Sequence, residues 1–82
     1  MKIKYFGATW CQPCKVLKPM VEEVAKELGI EVEYIDIEEE QDLTINMGVR
    51  GVPTIFKIDD ENGIDAKVGM QTKAQLKEWL EG

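Results

Sequence analysis

The chain's only two cysteines stand in the run Trp10-Cys11-Gln12-Pro13-Cys14-Lys15. Two thiols with two residues between them can close a four-residue disulfide loop without rearranging the rest of a fold. Pro13 suits the first turn of a helix, where its fixed φ is already helical and its missing N–H is no loss. A helix starting there turns free N–H groups and the positive end of its dipole towards Cys11, which favours the thiolate over the thiol. In Cys-x-x-Cys motifs this lowers a thiol pKa from about 8.5 to ~7 or below, so the nucleophile is populated near neutral pH. Cys11 is expected to be the exposed attacking thiol and Cys14, one turn further in, the more buried one that resolves a mixed disulfide. The pair reads as a dithiol/disulfide exchange centre.

Other uses of the two thiols fit less well. Structural zinc takes four ligands, mostly Cys and His, and two Cys with no His fill half a set. Two inert buried cysteines fit the count, but less well their place just before a helical pattern. No metal and no cofactor is expected beyond the redox-active pair itself.

Eighty-two residues predict one domain, 1–82, close to the lower size for a self-sufficient core. An apolar content of 44%, with two Trp, two Tyr and two Phe, is enough for such a core and argues against disorder. The net charge of −6 argues against nucleic acid and anionic membrane as partners. Much of it sits in Glu38-Glu39-Glu40, read as a solvated loop and helix start. No 18-residue apolar run predicts a membrane span. The start, Met1 to Phe6, leads into the cysteines by residue 11 and is expected to leave no room for a signal peptide. A reducing cytoplasm is the expected location, where a lone cysteine pair is catalytic rather than a structural staple.

The elements that must position the thiols follow from periodicity. Lys2–Phe6 reads as a short apolar strand broken by Gly7. From Pro13 to Leu28, Leu17, Met20, Val21, Val24 and Leu28 recur at helical spacing, with Glu22, Glu23, Lys26 and Glu27 opposite and Gly29 as the stop. Pro19 interrupts this helix and is expected to kink rather than break it, because the period continues beyond it. Glu31–Ile37 is rich in strand formers. Glu39–Met47 reads as a short helix with Leu43 and Met47 inward, ended by Gly48. Thr54–Asp59 and Ile64–Val68 read as strands joined by a turn containing Asn62-Gly63. Thr72 is placed to cap a last helix, Lys73–Glu81, with Leu76, Trp79 and Leu80 on its buried side. The order βαβαββα, with a right-handed crossover between the first two strands, predicts an α/β fold with a four-stranded mixed sheet and helices on both faces.

The motif resembles that of the thioredoxin family, which usually has Gly where Gln12 stands. Met47-Gly48-Val49-Arg50-Gly51-Val52-Pro53-Thr54-Ile55-Phe56 is similar to the family's segment around its cis-proline. Lys67-Val68-Gly69 with Thr72–Leu80 is similar to its last strand and C-terminal helix. The resemblance spans essentially the whole chain and implies a minimal thioredoxin-like fold with sheet order 2-1-3-4. It also implies a cis Val52–Pro53 bond, at which the backbone of Val52 can pair with an extended substrate beside Cys11. Trp10, Pro13, Gly51, Val52, Pro53, Val68 and Gly69 are implied as the substrate-docking surface. Two departures stand out. The family's N-terminal strand and helix are absent, which gives this chain the length of a glutaredoxin. Tyr5 replaces the buried acid six residues before the first cysteine, and Tyr34 stands where that acid's lysine partner would be.

What the resemblance implies is a protein-disulfide reductase. Cys11 attacks, Cys14 releases the substrate, and a thioredoxin reductase or equivalent reductant recycles the monomer. A glutaredoxin-like enzyme recycled by glutathione is a second reading. It is weakened because Val68-Gly69-Met70-Gln71-Thr72 lacks the Gly-Gly and Asp that hold the tripeptide. A hydrogen donor for ribonucleotide reductase is a related role. A non-enzymatic interaction subunit of the same fold is the third, and it would not require both cysteines.

Overall fold

The computed structural model of the chain describes residues 1–81. Its elements are β1 (Lys2–Gly7), α1 (Gln12–Leu28), β2 (Glu31–Asp36), α2 (Gln41–Asn46), β3 (Thr54–Asp59), β4 (Gly63–Val68) and α3 (Lys73–Glu81). The sheet order is β2-β1-β3-β4. Strand β1 runs parallel to β2 and antiparallel to β3, and β3 is antiparallel to β4. This is the order that the resemblance implied.

Strand β1 is central and buries Ile3, Tyr5 and Phe6, while Lys2 and Lys4 share the Phe6 face and pair with Glu33 of β2. Ile3 and Tyr5 point one way and, with Ile55 of β3, meet Leu17, Val21 and Val24 of α1 and Leu76 and Leu80 of α3 in one buried cluster. Phe6 points the other way, next in register to Ile35, and packs edge-to-face on Phe56 with ring centroids 5.5 Å apart. Each such fully buried side chain contributes about 1.5–3 kcal/mol of burial free energy, which together anchors α1 against the sheet.

Helix α1 runs unbroken through Pro19. The lost N–H there would have bonded the carbonyl of Lys15, an exposed residue that water can serve instead. Gly29 ends the helix at φ +69°, and the Ile30 N–H donates back to the Ala25 carbonyl at 2.8 Å. At α3 the capping is reciprocal. Thr72 Oγ1 accepts the Gln75 N–H at 3.1 Å, while Gln75 Oε1 accepts the Thr72 N–H at 2.8 Å.

Helix α2 is shorter than the expected Glu39–Met47, and Leu43 and Met47 are only half-buried. The cause lies upstream. The Asp36 carbonyl accepts the N–H groups of Glu39 and Glu40, and its carboxylate accepts that of Glu38. Those residues are therefore held as a turn, and the helix starts only at Gln41. The β3–β4 connection is likewise built on a side chain. Asp59 accepts from the Glu61 N–H and from Asn62 Nδ2, and Gly63 follows at φ +86°.

Candidate active site

The loop after β1 delivers Cys11 to the N-cap of α1, with extended backbone angles of φ −83° and ψ 107°. Its own N–H is tied to the Ala8 carbonyl at 3.2 Å, and its Sγ accepts the Cys14 N–H at 3.2 Å. The sulfur thus occupies the place of a capping oxygen, receiving one of the orphan N–H groups of the first turn. No acidic side chain stands in that turn. A thiolate at Cys11 therefore meets the helix dipole and a direct donor with no nearby carboxylate on the helix to oppose it.

Cys11 and Cys14 are joined as a disulfide, their Cα atoms 5.3 Å apart. Exposure does not separate them as expected: Cys11 is 4% exposed and Cys14 5%. In the oxidised form each sulfur shields the other, so what distinguishes the two is the N-cap position and not access. Trp10 beside them is exposed, and its indole N–H donates to the Glu38 carboxylate. The acidic run is a surface loop as read, yet one of its members holds the aromatic neighbour of the nucleophile. That contact crosses 28 positions, and nothing local in the sequence announces it.

The other residues assigned to the docking surface fall into two groups. Gly51, Pro53 and Gly69 are tied together: Thr54 Oγ1 donates to the Gly51 carbonyl at 2.6 Å, and the Gly69 N–H donates to the Pro53 carbonyl at 2.9 Å. The Val52–Pro53 bond is cis. Val52 is half-buried and packs against the cluster that contains both cysteines, whereas Pro53 is buried. Pro13 is exposed in the first turn of α1, and Val68 is exposed at the end of β4.

Tyr5 lies in the core below Cys14, and its hydroxyl donates to the Cys14 carbonyl at 3.1 Å. The Tyr34 ring is 5.7 Å away, with the Lys18 ammonium 4.8 Å from its centre. Burial, and secondarily the neighbouring Tyr34, pushes the Tyr5 phenol up to about 12. Tyr34 is raised too, by burial and then by Glu22. Neither phenol is a base at neutral pH. An open cleft of about 490 Å³ lies beside this pair, lined by Tyr5, Gly7, Cys14, Lys18, Tyr34 and Asp36 among others. Cys14 is part of the cleft wall. Gly7 is required at its floor, since a Cβ there would stand 2.9 Å from the Tyr5 ring and 3.5 Å from Cys14 Sγ. Among the described residues, no group of three or more His, Cys, Asp and Glu could hold a metal ion. No helix among them is long and apolar enough to cross a membrane.

Comparison with known proteins agrees with this geometry. The family model described as Thioredoxin matches residues 2–82. The thioredoxin of Rickettsia felis is 36% identical over 77 residues, covering 92% of this chain and 73% of that protein. The thioredoxin of Pseudomonas aeruginosa is 38% identical over 78 residues, covering 93% and 72%. Among solved structures, a mutant thioredoxin from Halobacterium salinarum superimposes with a TM-score of 0.90 at 39% identity, over 98% of this chain and 71% of the other. Thioredoxin 1 from Thermosipho africanus gives 0.83 at 29% identity and is covered over 96% of its own length.

Proposed function

The chain belongs to the thioredoxin family, and from that premise we propose how its residues divide the work. It is a thiol–disulfide oxidoreductase that reduces protein disulfides through the Cys11–Cys14 dithiol. The observation that carries the division of roles is the position of Cys11 Sγ at the N-cap of α1, accepting the Cys14 N–H.

In the reduced protein, the Cys11 thiolate attacks one sulfur of a substrate disulfide. A Cys11–substrate disulfide forms, and the other substrate sulfur leaves as a thiolate that takes a proton from water. Cys14 then loses its proton and attacks Cys11 Sγ. The Cys11–Cys14 bond forms as the second substrate sulfur departs. Two electrons have passed to the substrate, and the chain is left oxidised. With the Tyr5 phenol raised to about 12 and so protonated, the Cys14 proton goes to the departing thiolate, to water or to a carboxylate, of which Asp36 and Glu39 line the adjacent cleft.

Disulfide-containing proteins are the substrates in this reading. Trp10, Pro13, Gly51, Val52, Pro53, Val68 and Gly69 form the surface on which they dock. The hydrogen bond from the Gly69 N–H to the Pro53 carbonyl, and that from the Thr54 hydroxyl to the Gly51 carbonyl, support that assignment. A single domain working in a reducing cytoplasm, recycled by a thioredoxin reductase, completes the proposal. The test is one disulfide-reduction assay run in parallel with thioredoxin reductase and with glutathione plus its reductase. Turnover is expected with the first. Turnover with the second alone assigns the chain to glutathione, and failure in both removes the reductase reading.

A further inference from the structure

We propose that β4 is a self-complementary edge through which two copies of this chain pair as an antiparallel, two-fold dimer centred on Ala66. The inference goes beyond the redox reading, although its seam takes in Val68 and Gly69 of the docking surface.

Strand β4 lies at the margin of the sheet, with β3 on one side and, among the described residues, no strand on the other. Its sequence with the residue that follows, Gly63-Ile64-Asp65-Ala66-Lys67-Val68-Gly69, matches its own reverse in character about Ala66. Glycine answers glycine, a β-branched aliphatic answers another, and an acid answers a base. Set beside a second copy in antiparallel register, Ile64 stands opposite Val68 of the other copy and Asp65 opposite Lys67. The two-fold axis makes each of these pairs occur twice.

The backbone fits the same register. The Gly69 N–H donates to the Pro53 carbonyl, so Gly69 faces β3. Backbone groups in an antiparallel pair alternate in direction, and the β3–β4 register runs without interruption from Thr54↔Val68 to Asp59↔Gly63. Lys67, Asp65 and Gly63 therefore direct their N–H and C=O to β3, and Ile64, Ala66 and Val68 direct theirs outward. The Ala66 N–H, left without a partner in β3, is taken instead by the Asp65 carboxylate at 2.9 Å. In a dimer centred on Ala66, the outward residues are the ones that face each other as hydrogen-bonded pairs. Asp65 and Lys67 of the other copy then form the non-hydrogen-bonded pairs, in which side chains approach most closely.

The side chains are also laid out for it. Ile64 is 64% exposed and Val68 68%, both on the sheet face away from Asp65 and Lys67. Pairing joins these two exposed aliphatics into a four-residue apolar strip across the seam. On the opposite face Asp65 and Lys67 flank Trp79, whose indole N–H donates to Asp65 at 2.9 Å. The strand carries one acid and one base, so its local charge is zero although the whole chain carries −6. A six-residue edge is small beside the ~1,600 Å² of a standard interface, so the association is weak and concentration-dependent.

The test is sedimentation equilibrium from about 10 μM to about 1 mM, the range in which a small interface populates, at about 0.15 M salt, where the Debye length of ~8 Å screens the net charge. The wild-type average mass should climb from one chain towards two. Asp65→Lys sets a new base against Lys67 of the other copy, and Lys67→Asp sets two acids face to face, so each variant alone should stay at the single-chain mass. Their equimolar mixture, with two bases on one strand and two acids on the other, should associate at least as strongly as wild type. Far-UV circular dichroism and disulfide-reductase activity report that both variants are folded. A wild-type mass that stays at one chain throughout overturns the proposal, as does a mixture of folded variants that fails to associate. Single variants that dimerise like wild type place the contact elsewhere and overturn it equally.

Discussion

Replacing Tyr5 by Phe removes one hydroxyl from a ring whose place in the core, between β1 and α1, is otherwise unchanged. At neutral pH the loss is the hydrogen bond to the Cys14 carbonyl, a net contribution of about 1 kcal/mol. For a domain of this size that lowers the melting temperature by roughly 4–8 °C. At alkaline pH the sign reverses. The Tyr5 phenol is raised from 10.0 to about 12 in the folded chain, so below pH 10 both states hold the proton and it contributes no pH dependence. Between pH 10 and 12 the unfolded chain releases a proton that the folded chain keeps, and stability falls by about 1.4 kcal/mol per pH unit, roughly 2–3 kcal/mol in all. The Phe variant lacks this loss. The two stability curves should therefore cross near pH ~11, where the alkaline loss equals the hydrogen bond. Urea titrations at pH 7, 9, 10, 11 and 12 measure this directly. The same variant tests the chemistry, since at pH 7 only on the order of one Tyr5 in 10⁵ is a phenolate. Release of substrate from the Cys11 mixed disulfide should then change by no more than a few-fold from pH 6 to 9. A ~10²-fold slowing in a folded Tyr5→Phe protein, the size of a lost general acid–base group, would refute the packing role. Curves that never cross would refute the assignment of a buried, raised phenol.

Three further outcomes are expected. Alkylation of the reduced protein at neutral pH should modify Cys11 much faster than Cys14, and Cys14→Ser should accumulate covalent substrate complexes; faster modification of Cys14 would reverse the two roles. Gly7→Ala forces the Tyr5 ring away from a Cβ at 2.9 Å, and should cost about 1–3 kcal/mol as an overpacked core does, read from the midpoint of urea unfolding. Thr72→Ala removes the hydroxyl that accepts the Gln75 N–H and should cost about 0.5–2 kcal/mol, whereas no loss of stability would mean that α3 is held by Leu76 and Leu80 alone.

Much of this protein was written in local patterns. The Leu17–Leu28 repeat, the strand-forming runs, the Thr72 cap and the placement of Pro13 each act within a turn or two of chain. A reader of residue order can evaluate them because the energies involved are set by neighbours. The Cys-x-x-Cys spacing belongs to the same class, and so does the stop at Gly29. Helix α2 starts at Gln41 and not at Glu39 because Asp36 holds Glu38, Glu39 and Glu40 in a turn, its carboxylate accepting the first N–H and its carbonyl the other two. Contacts between distant positions were decided by tertiary packing alone. The Tyr5 hydroxyl meets the Cys14 carbonyl because β1 and α1 are pressed together by the Ile3–Leu17–Val24 core. Trp10 meets Glu38 because β1 and β2 run parallel and bring the loops after them to one end of the sheet. The equal burial of the two cysteines and the outward alternation of β4 likewise depend on which strand or sulfur lies alongside. The residues of β4 spell a near-palindrome in the sequence, but only the sheet order leaves that strand at an edge, because β1 and β3, which bury Ile3, Tyr5, Phe6 and Ile55, take the centre.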